Sequence, residues 1–437
     1  MPRRLALACL ALTLAILPAD AQVPYGKGSI PGRRALSRVG LDLQFSSVVP
    51  LVGPEKMAAL SIDDGMLFAQ TNAGNFYAYD AETGRYLWGA HLGNVTTTSR
   101  PASVNKFGVF TTNSNRIFGL DRKTGQQLWS QELTGMPSSS TSASEDRVMV
   151  GLESGKLATF DAKTGAVGWN IQTNAQVSSR PVPAGRVIAF GSEDRKLYLS
   201  RAEAPQLFWR FACGGPIVAP LGTYGVRTLL VPSLDKSLYA VDLFTGEGRW
   251  TLATGSPVEQ EPLVTDDDAY VVNDEGFLTA IDIPSGTPRW TVSTLGGRLI
   301  SISATKIYLE SHDEDLFVVD RATGKVVFDP ATTFQRAGID LRDFPLGPTN
   351  RFDDRLYFAT SHGLIICLRE IAQIKPRTLR EPGEKPFGYI PPEGYPESAV
   401  PPPVIPVQPA EPTDAAAPAP ADAATPAPAE PAPAEPK

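Results

Sequence analysis

Few side chains in this 437-residue sequence are of the kinds that bind metals or attack substrates. The three histidines are far apart. His91 follows Trp88, and His312 and His362 take hairpin positions where comparable stretches have Asn, Ser or Asp. Turn and surface roles account for all three, so we expect no catalytic residue, no cofactor-binding residue and no metal site.

The three cysteines are equally dispersed. Cys9 lies in the apolar N-terminal run, Cys213 precedes two glycines, and Cys367 alternates within Leu-Ile-Ile-Cys-Leu as a core residue does. This dispersal argues against a metal cluster and against a haem-attachment motif. Because sequence alone does not give the distance between Cys213 and Cys367, a disulfide between them stays open.

Three charged residues precede a proline at regular intervals. They are Arg100, Arg180 and Glu261, and the intervals are 80 and 81 residues. In a chain built from units of about 40 residues, every second unit would place one of them at the same point. We expect the three to line a central channel. We favour a mutually neutralising polar lining, and a ligand site is the alternative.

One connection, from Asp329 to Pro345, is longer than its counterparts and should lie at the mouth of that channel. Aromatic residues together with arginine are typical of protein contacts, and loops carry function more often than strands do. We therefore predict a partner-binding surface here, with a simple insertion as the alternative. The candidate residues are Phe334, Arg336, Asp340, Arg342, Asp343 and Phe344.

The elements that must position these residues follow one repeat. Tryptophan recurs every 40 or 41 residues, and each Trp stands eight residues after the start of an Asp-x-x-Thr-Gly-like stretch. The Asp carboxylate caps a tight turn, and the Gly supplies its positive φ. Self-similarity at this period indicates a propeller blade. The repeat residues are Trp88, Trp129, Trp169, Trp209, Trp250 and Trp290.

Strand patterns within each unit complete the fold. An alternating strand such as residues 76–79 precedes the turn, the Trp strand follows it, and two more strands lie upstream. The units number eight, but the last lacks a Trp strand, whereas an unpaired strand lies near residues 41–49. We predict an all-β, eight-bladed β-propeller of four-stranded antiparallel blades, closed by this N-terminal strand.

The pattern Asp-x-x-Thr-Gly-x-x-x-Trp, preceded by Leu-Tyr-Ala-like residues, resembles the repeat of pyrroloquinoline-quinone-like (PQQ-like) propellers over roughly residues 40–370. One branch of that family comprises quinoprotein alcohol and sugar dehydrogenases. Another comprises non-enzymatic propellers such as the B subunit of the outer-membrane β-barrel assembly machinery. The resemblance implies that each Trp wedges between blades, and it does not imply a bound quinone.

The dehydrogenase branch implies a quinone cavity, a calcium site of oxygen ligands and a carboxylate base, and many members have two adjacent cysteines. In this sequence Cys213 and Cys367 are 154 residues apart, and all six tryptophans serve the repeat. The short units also leave little room for loops that would enclose a substrate. The resemblance therefore favours the non-enzymatic branch.

The two ends differ in composition from the repeat. Residues 1–21 combine an Arg pair, an apolar run and a small-x-small site, as in a secretory signal. We assign residues 22–39 to an N-terminal extension and residues 40–375 to the propeller. Residues 376–437 hold 19 of the 40 prolines and five of the seven net negative charges, which predicts a disordered Pro/Ala/Glu-rich tail.

These features together predict an exported, non-enzymatic scaffold in the periplasm or cell envelope. Its partners would be envelope or outer-membrane proteins. The near-neutral propeller argues against nucleic acid as a partner. We expect a monomeric propeller without a transmembrane segment and without a cofactor. The alternative is a PQQ- and calcium-dependent quinoprotein dehydrogenase.

Overall fold

A computed structural model describes residues 30–93, 99–294, 297–311, 316–381 and 385–389. Within these residues the strands form eight antiparallel sheets, seven of four strands and one of three, and each four-stranded sheet uses consecutive strands. The first strands of neighbouring sheets contact one another, which places them around a common axis. The predicted eight-bladed β-propeller is therefore confirmed.

The strands follow the repeat closely. Blade one comprises β2 (Met57–Asp63), β3 (Met66–Thr71), β4 (Asn75–Asp80) and β5 (Tyr86–His91), and blade two comprises β6 (Ser103–Val104), β7 (Val109–Asn113), β8 (Arg116–Leu120) and β9 (Gln127–Glu132). Blade three comprises β10 (Ser142–Ala143), β11 (Arg147–Gly151), β12 (Lys156–Asp161) and β13 (Val167–Gln172), and blade four comprises β14 (Val182–Ala184), β15 (Val187–Ser192), β16 (Lys196–Arg201) and β17 (Leu207–Ala212). Blade five comprises β18 (Gly222–Tyr224), β19 (Thr228–Ser233), β20 (Ser237–Asp242) and β21 (Gly248–Ala253). Blade six comprises β22 (Leu263–Val264), β23 (Asp268–Val272), β24 (Phe277–Asp282) and β25 (Thr287–Ser293). Blade seven comprises β26 (Arg298–Ile302), β27 (Lys306–Glu310), β28 (Leu316–Asp320) and β29 (Val326–Phe328).

Blade eight closes the ring with both ends of the propeller. It contains β30 (Leu356–Ala359), β31 (Leu364–Glu370) and the N-terminal strand β1 (Leu41–Val48), which pairs antiparallel with β31. An isolated bridge between Leu346 and Ala359 marks where the innermost strand of this blade begins. Closure by the N-terminal strand is as predicted, and it joins the two ends of the propeller through the strand pairing within blade eight.

The tryptophans join each blade to the next. The ring N–H of Trp129 donates to the carbonyl of Ala162, which follows the turn aspartate of the next blade, at 3.0 Å. Gly165 of the same turn lies under the ring, so close that a Cβ there would stand 2.5 Å from it. Equivalent N–H bonds are made by Trp88, Trp169, Trp209, Trp250 and Trp290. The repeat thus forms a contact between adjacent blades, as the resemblance implied. We call this contact, a Trp ring against the turn glycine of the next blade with its N–H hydrogen bond, the inter-blade fastening.

Packed structure extends beyond the predicted limits of the propeller. Helix α1 (Arg33–Arg38) lies in the predicted N-terminal extension, and its Leu36 is fully buried. Residues 376–381 and 385–389 lie against the propeller, and Leu379 is buried. The change of composition at Pro376 therefore does not mark the end of packed structure. The predicted signal at residues 1–21 and the tail from residue 390 onward lie outside the described residues.

Candidate functional site: the channel mouth under the C-terminal segment

Two faces of the propeller are defined by its turns. Antiparallel strands alternate in direction, so the turns between first and second strands lie on the same face as the Asp-x-x-Thr-Gly turns. We call this the strap face, and it includes Gly185 and Gly225. The opposite face, which carries the connections between blades and the turns between second and third strands, is the open face.

Four side chains from four blades form an ion-pair network at the strap end of the channel. Asp63 of blade one lies 3.3 Å from Arg180 of blade four and 3.6 Å from Arg351 of blade eight. Arg351 in turn lies 3.2 Å from Glu261 of blade six. The Asp63 side chain is only 10% exposed and that of Arg180 is 17% exposed. The network therefore spans the channel. The pairs Asp63–Arg180 and Arg351–Glu261 join non-neighbouring blades, and Asp63–Arg351 joins the neighbouring blades one and eight.

The opposite charges of this network stabilise the ionised forms of its side chains. Burial and the nearby Arg351 lower the pKa of Arg180 to about 10, and Asp63 and Glu261 limit that decrease. Burial also opposes the charge of Arg351, but Glu261 and Asp63 outweigh it and raise the pKa of Arg351. Both guanidinium groups are protonated at neutral pH. The two carboxylates accept from arginine rather than facing open solvent.

Of the three residues predicted to line the channel, the structure brings two together and places the third elsewhere. Arg180 and Glu261 are brought into one network through Asp63 and Arg351. Arg100 is exposed and donates to the carbonyl of Pro137 at 3.0 Å. Asp63 was missed because it precedes Asp-Gly and has the character of a turn residue. Arg351 was missed because it lies in an irregular stretch outside the repeat.

The long connection of residues 329–345 is not at the channel mouth. It forms a π-helical turn (Pro330–Phe334) and helix α2 (Gln335–Ala337), which contact α1 and the two outer strands of blade seven. Phe334 and Phe344 are buried, 2% and 0% exposed, in a cluster with residues of blades seven and eight. These two aromatic rings are core residues and cannot be exposed anchors for a partner.

The reason for this packing is a missing fastening. The outer strand of blade seven ends at Phe328, where blades one to six have Trp, and blade eight has no Asp-x-x-Thr-Gly turn. The ring of Phe328 instead contacts Phe334 at 6.0 Å between centroids, so the connection fills the gap between blades. Arg336, Asp340, Arg342 and Asp343 stay exposed, and Arg342 pairs with Asp340 at 2.6 Å.

The cysteines and histidines among the described residues form no shared metal-binding group. Cys213 and Cys367 are both free and buried, which answers the open question of a disulfide. Burial raises the pKa of the Cys213 thiol to about 12 and that of Cys367 well above its usual value. His91 and His362 are exposed, and His312 lies outside the described residues. Among the described residues no group of three His, Cys, Asp or Glu side chains could hold a metal.

The channel mouth encloses a cavity of about 300 Å³ lined by the ion-pair network, several prolines, Phe352 and Arg380. A quinone with calcium would need carboxylate or carbonyl ligands free to bind the metal. The two carboxylates of this cavity, Asp63 and Glu261, are paired with arginines. The lining therefore does not fit a calcium–quinone pair.

The C-terminal segment crosses this cavity. We call residues 376–389, in their described parts, the strap. The strap pairs with blade eight at Thr378 and donates from Leu379 N–H to the carbonyl of Phe352 at 3.0 Å. Farther on, the Glu381 N–H donates to Asp266 of blade six at 3.0 Å, and the Gly388 N–H donates to Val226 of blade five at 2.8 Å. The strap thus covers the channel mouth from blade eight to blade five.

Comparison with known proteins agrees with this fold. A family model described as outer membrane protein assembly factor BamB matches residues 50–144, 134–204 and 198–393. The outer membrane protein assembly factor BamB of Shewanella oneidensis is 22% identical over 197 residues, which cover 42% of this chain and 50% of that protein. The chain thus aligns with about half the length of this curated relative.

Solved structures show the same architecture. BamB from Moraxella catarrhalis superposes with a TM-score of 0.61 at 17% identity, over 75% of this chain and 97% of that one. The computationally designed Ika8 protein superposes with a TM-score of 0.57 at 14% identity, over 72% and 96% of the two chains. At these identities the likeness is one of fold. None of the helices in the described part of the chain is long and apolar enough to cross a membrane.

Proposed function

The chain belongs to the family of the outer membrane protein assembly factor BamB, and from this we propose that it is a protein-binding scaffold for outer-membrane protein assembly. The observation that carries the proposal is the family match, which extends over residues 50–393 and so over nearly the whole propeller. In this proposal residues 1–21 direct export, and the propeller works as a monomer in the periplasm or at the cell envelope.

A non-enzymatic role is part of the proposal. The channel carboxylates Asp63 and Glu261 are held by arginines, so neither is available as a general base or as a metal ligand. The cysteines are buried thiols whose pKa values are raised, and a thiol needs the opposite shift to act as a nucleophile. These features support a scaffold over a quinoprotein dehydrogenase.

The open face is the proposed partner surface. The strap covers the opposite face at the channel, whereas the connections and hairpins of the open face present large apolar side chains to solvent. Val52 is 75% exposed, Met136 46% and Phe277 39%. Aromatic residues and methionine are enriched in protein contact sites. The exposed charges of the long connection, at Arg336 and Asp343, form a second proposed contact on the rim of blades seven and eight.

The test is genetic complementation in the native host. A strain that lacks the chain should contain less folded β-barrel protein in its outer membrane, and the wild-type gene should restore the amount. Unchanged barrel levels in the deletion strain would refute the assembly role. A chain that starts at Gln22, without the predicted signal, should fail to complement if export is required.

Matched surface variants then locate the partner contact. Val52→Asp on the open face should reduce complementation, whereas Val167→Asp, 68% exposed on an outer strand, should not. An Arg336→Ala/Asp343→Ala double variant tests the rim. Equal complementation by Val52→Asp and wild type, with loss in the rim variant, would move the contact from the open face to the rim. Thermal melting of each purified protein controls for folding.

A further inference from the structure

The end of the strap docks as a short peptide would. Residues Pro386 to Tyr389 form a turn in which the Tyr389 N–H donates to the Pro386 carbonyl at 3.1 Å. Phe387 packs against the apolar cluster shared by blades four and five. Lys385 lies 5.4 Å from the ring centre of Tyr389, within cation–π distance. Main-chain hydrogen bonds together with a pocket for a side chain are one established way of binding a peptide.

The propeller surface is shaped to this turn. Gly388 has a φ of +77° and lies so close to Ala184 that a Cβ would stand 2.5 Å from its carbonyl carbon. Across the contact, a Cβ on Gly185 would stand 2.9 Å from the Gly388 oxygen. Two glycines on opposite sides of the contact allow backbone to meet backbone. A side chain at either position would exclude the turn, so the groove selects for glycine.

The strap is held by far less than a blade is. Leu379 is its one buried large apolar side chain among the described residues. The side chains at Arg377, Arg380, Glu381 and Lys385 are exposed, and Phe387 is half-buried. Segments with few buried apolar contacts open locally, at much lower free energy than global unfolding. Residues 385–389 at the end of the strap can therefore leave the groove while the eight blades stay folded.

We propose that the surface formed by Ala184, Gly185 and Val226 is an exchangeable peptide-binding groove. In this structure the chain's own residues 385–389 occupy it in cis. The partner it fits is a protein segment with the same chemistry, a proline–aromatic–glycine turn flanked by a basic residue. Because Arg380 lines the channel cavity, the strap contacts both the groove and the cavity that holds the ion-pair network. This goes beyond the scaffold role and does not depend on it.

Tethering explains why the cis segment fills the groove. A ligand on a short flexible linker has an effective concentration on the order of millimolar. A free peptide at micromolar concentration cannot compete with it unless the cis copy is disabled. Gly388→Val disables the cis copy alone, because the new side chain is excluded from the groove while the groove residues are unchanged.

The experiment measures binding of a fluorescein-labelled peptide with the sequence of residues 381–389 to full-length protein by fluorescence anisotropy. The Gly388→Val chain should bind the peptide at least tenfold more tightly than wild type does. A peptide in which the phenylalanine is replaced by alanine should bind at least tenfold more weakly. A Phe387→Ala chain serves as a second vacated groove.

Two hairpin variants in the Gly388→Val background identify the groove. Gly185→Asn keeps the left-handed backbone, which Asn tolerates, but places a Cβ in the contact, so it should abolish binding. Gly225→Asn is the matched control on blade five, because no atom lies within 4 Å of a Cβ there, and binding should persist. Lack of binding to both vacated chains, equal binding to vacated and wild-type chains, or equal binding to the two Asn variants would each overturn the proposal.

Discussion

The guanidinium of Arg180 lies 3.3 Å from the carboxylate of Asp63, although 117 residues separate them in sequence. One residue belongs to blade four and the other to blade one, so the bond crosses the channel. In a propeller each blade packs mainly on its two neighbours. This pair, like the pair of Arg351 with Glu261, instead links blades that are not neighbours in the ring.

Loss of the shared carboxylate should be costly. In Asp63→Asn, Arg180 and Arg351 keep their buried charges, and Glu261 is the one acid of the network that remains. Removing one partner of a buried pair typically costs about 3–5 kcal/mol, and we expect a loss in that range in the free energy of unfolding, measured by urea denaturation. The adjacent Asp64→Asn is the control. Its pair with Arg122 is exposed, so the cost should be about 1 kcal/mol or less. Similar losses in the two variants would show that the network contributes no more than a surface pair.

Acid should weaken the repeat turns. The Thr164 hydroxyl and backbone N–H donate to Asp161 and hold the pKa of that carboxyl below its usual value. When the folded pKa is lower than the unfolded one, the unfolded chain takes up the proton first as pH falls. The stabilisation is therefore present above the unfolded value of about 3.9 and is lost as pH falls through the folded pKa.

Thr164→Val removes the hydroxyl that contributes most to this shift. We expect the variant to be less stable than wild type at pH 7 and the difference to shrink between pH 5 and pH 2, as followed by thermal melting. A conservative substitution at an exposed position of another hairpin, Asp274→Asn, is the control. A stability difference that stays constant over this pH range would mean that the threonine acts by packing and not through the Asp161 charge.

The stabilisation that the inter-blade fastening provides can be divided into burial of the Trp ring and the hydrogen bond of its N–H group. Trp129→Ala removes a buried ring and should cost about 3–5 kcal/mol in unfolding free energy. Trp129→Phe keeps an aromatic ring but leaves the Ala162 carbonyl without its donor, which should cost about 1–3 kcal/mol including that unmet hydrogen bond. Trp169→Ala should cost less than Trp129→Ala, because Trp169 is half-buried and the next turn has Pro205 in place of the seating glycine. The reverse order of the two alanine variants would contradict this account.

The sequence predicted those features whose causes repeat along the chain. Trp129 and Gly165 recur in register, so the blades, their number and their closure by β1 could be read from spacing. The pairing of Asp63 with Arg351 has no such register, because it depends on where the ring closes in space. The composition of the long connection predicts Phe334 as an exposed anchor, but the side chain is buried. Its burial follows from the absence of a Trp–Gly fastening between blades seven and eight, which is a tertiary effect.

The contact between blades eight and one also has a phenylalanine in place of the repeat tryptophan. The ring that lies against Gly84 comes from Phe45 on β1, so phenylalanine replaces the repeat tryptophan where the two chain ends meet. Phenylalanine has no N–H donor, and here the ring of Tyr357 supplies one, its hydroxyl donating to the Ala81 carbonyl at 3.0 Å. The function of the Trp is thus shared by two residues from opposite ends of the chain. No single-residue pattern could have predicted this.

Docking of the strap should protect it from proteolysis. In the wild-type chain the Arg380 guanidinium donates to the backbone carbonyl of Thr223, so trypsin must wait for the segment to open before it can cleave there. Gly388→Val removes the anchor at the end of the strap, and we expect cleavage after Arg380 to become about tenfold faster, measured by mass spectrometry of timed digests. Gly225→Asn should leave the rate unchanged. Cleavage after Arg380 at the same rate in Gly388→Val and wild type would mean that the turn at residues 386–389 does not hold the strap, and that its contacts with blades six and eight are sufficient to keep the channel mouth covered.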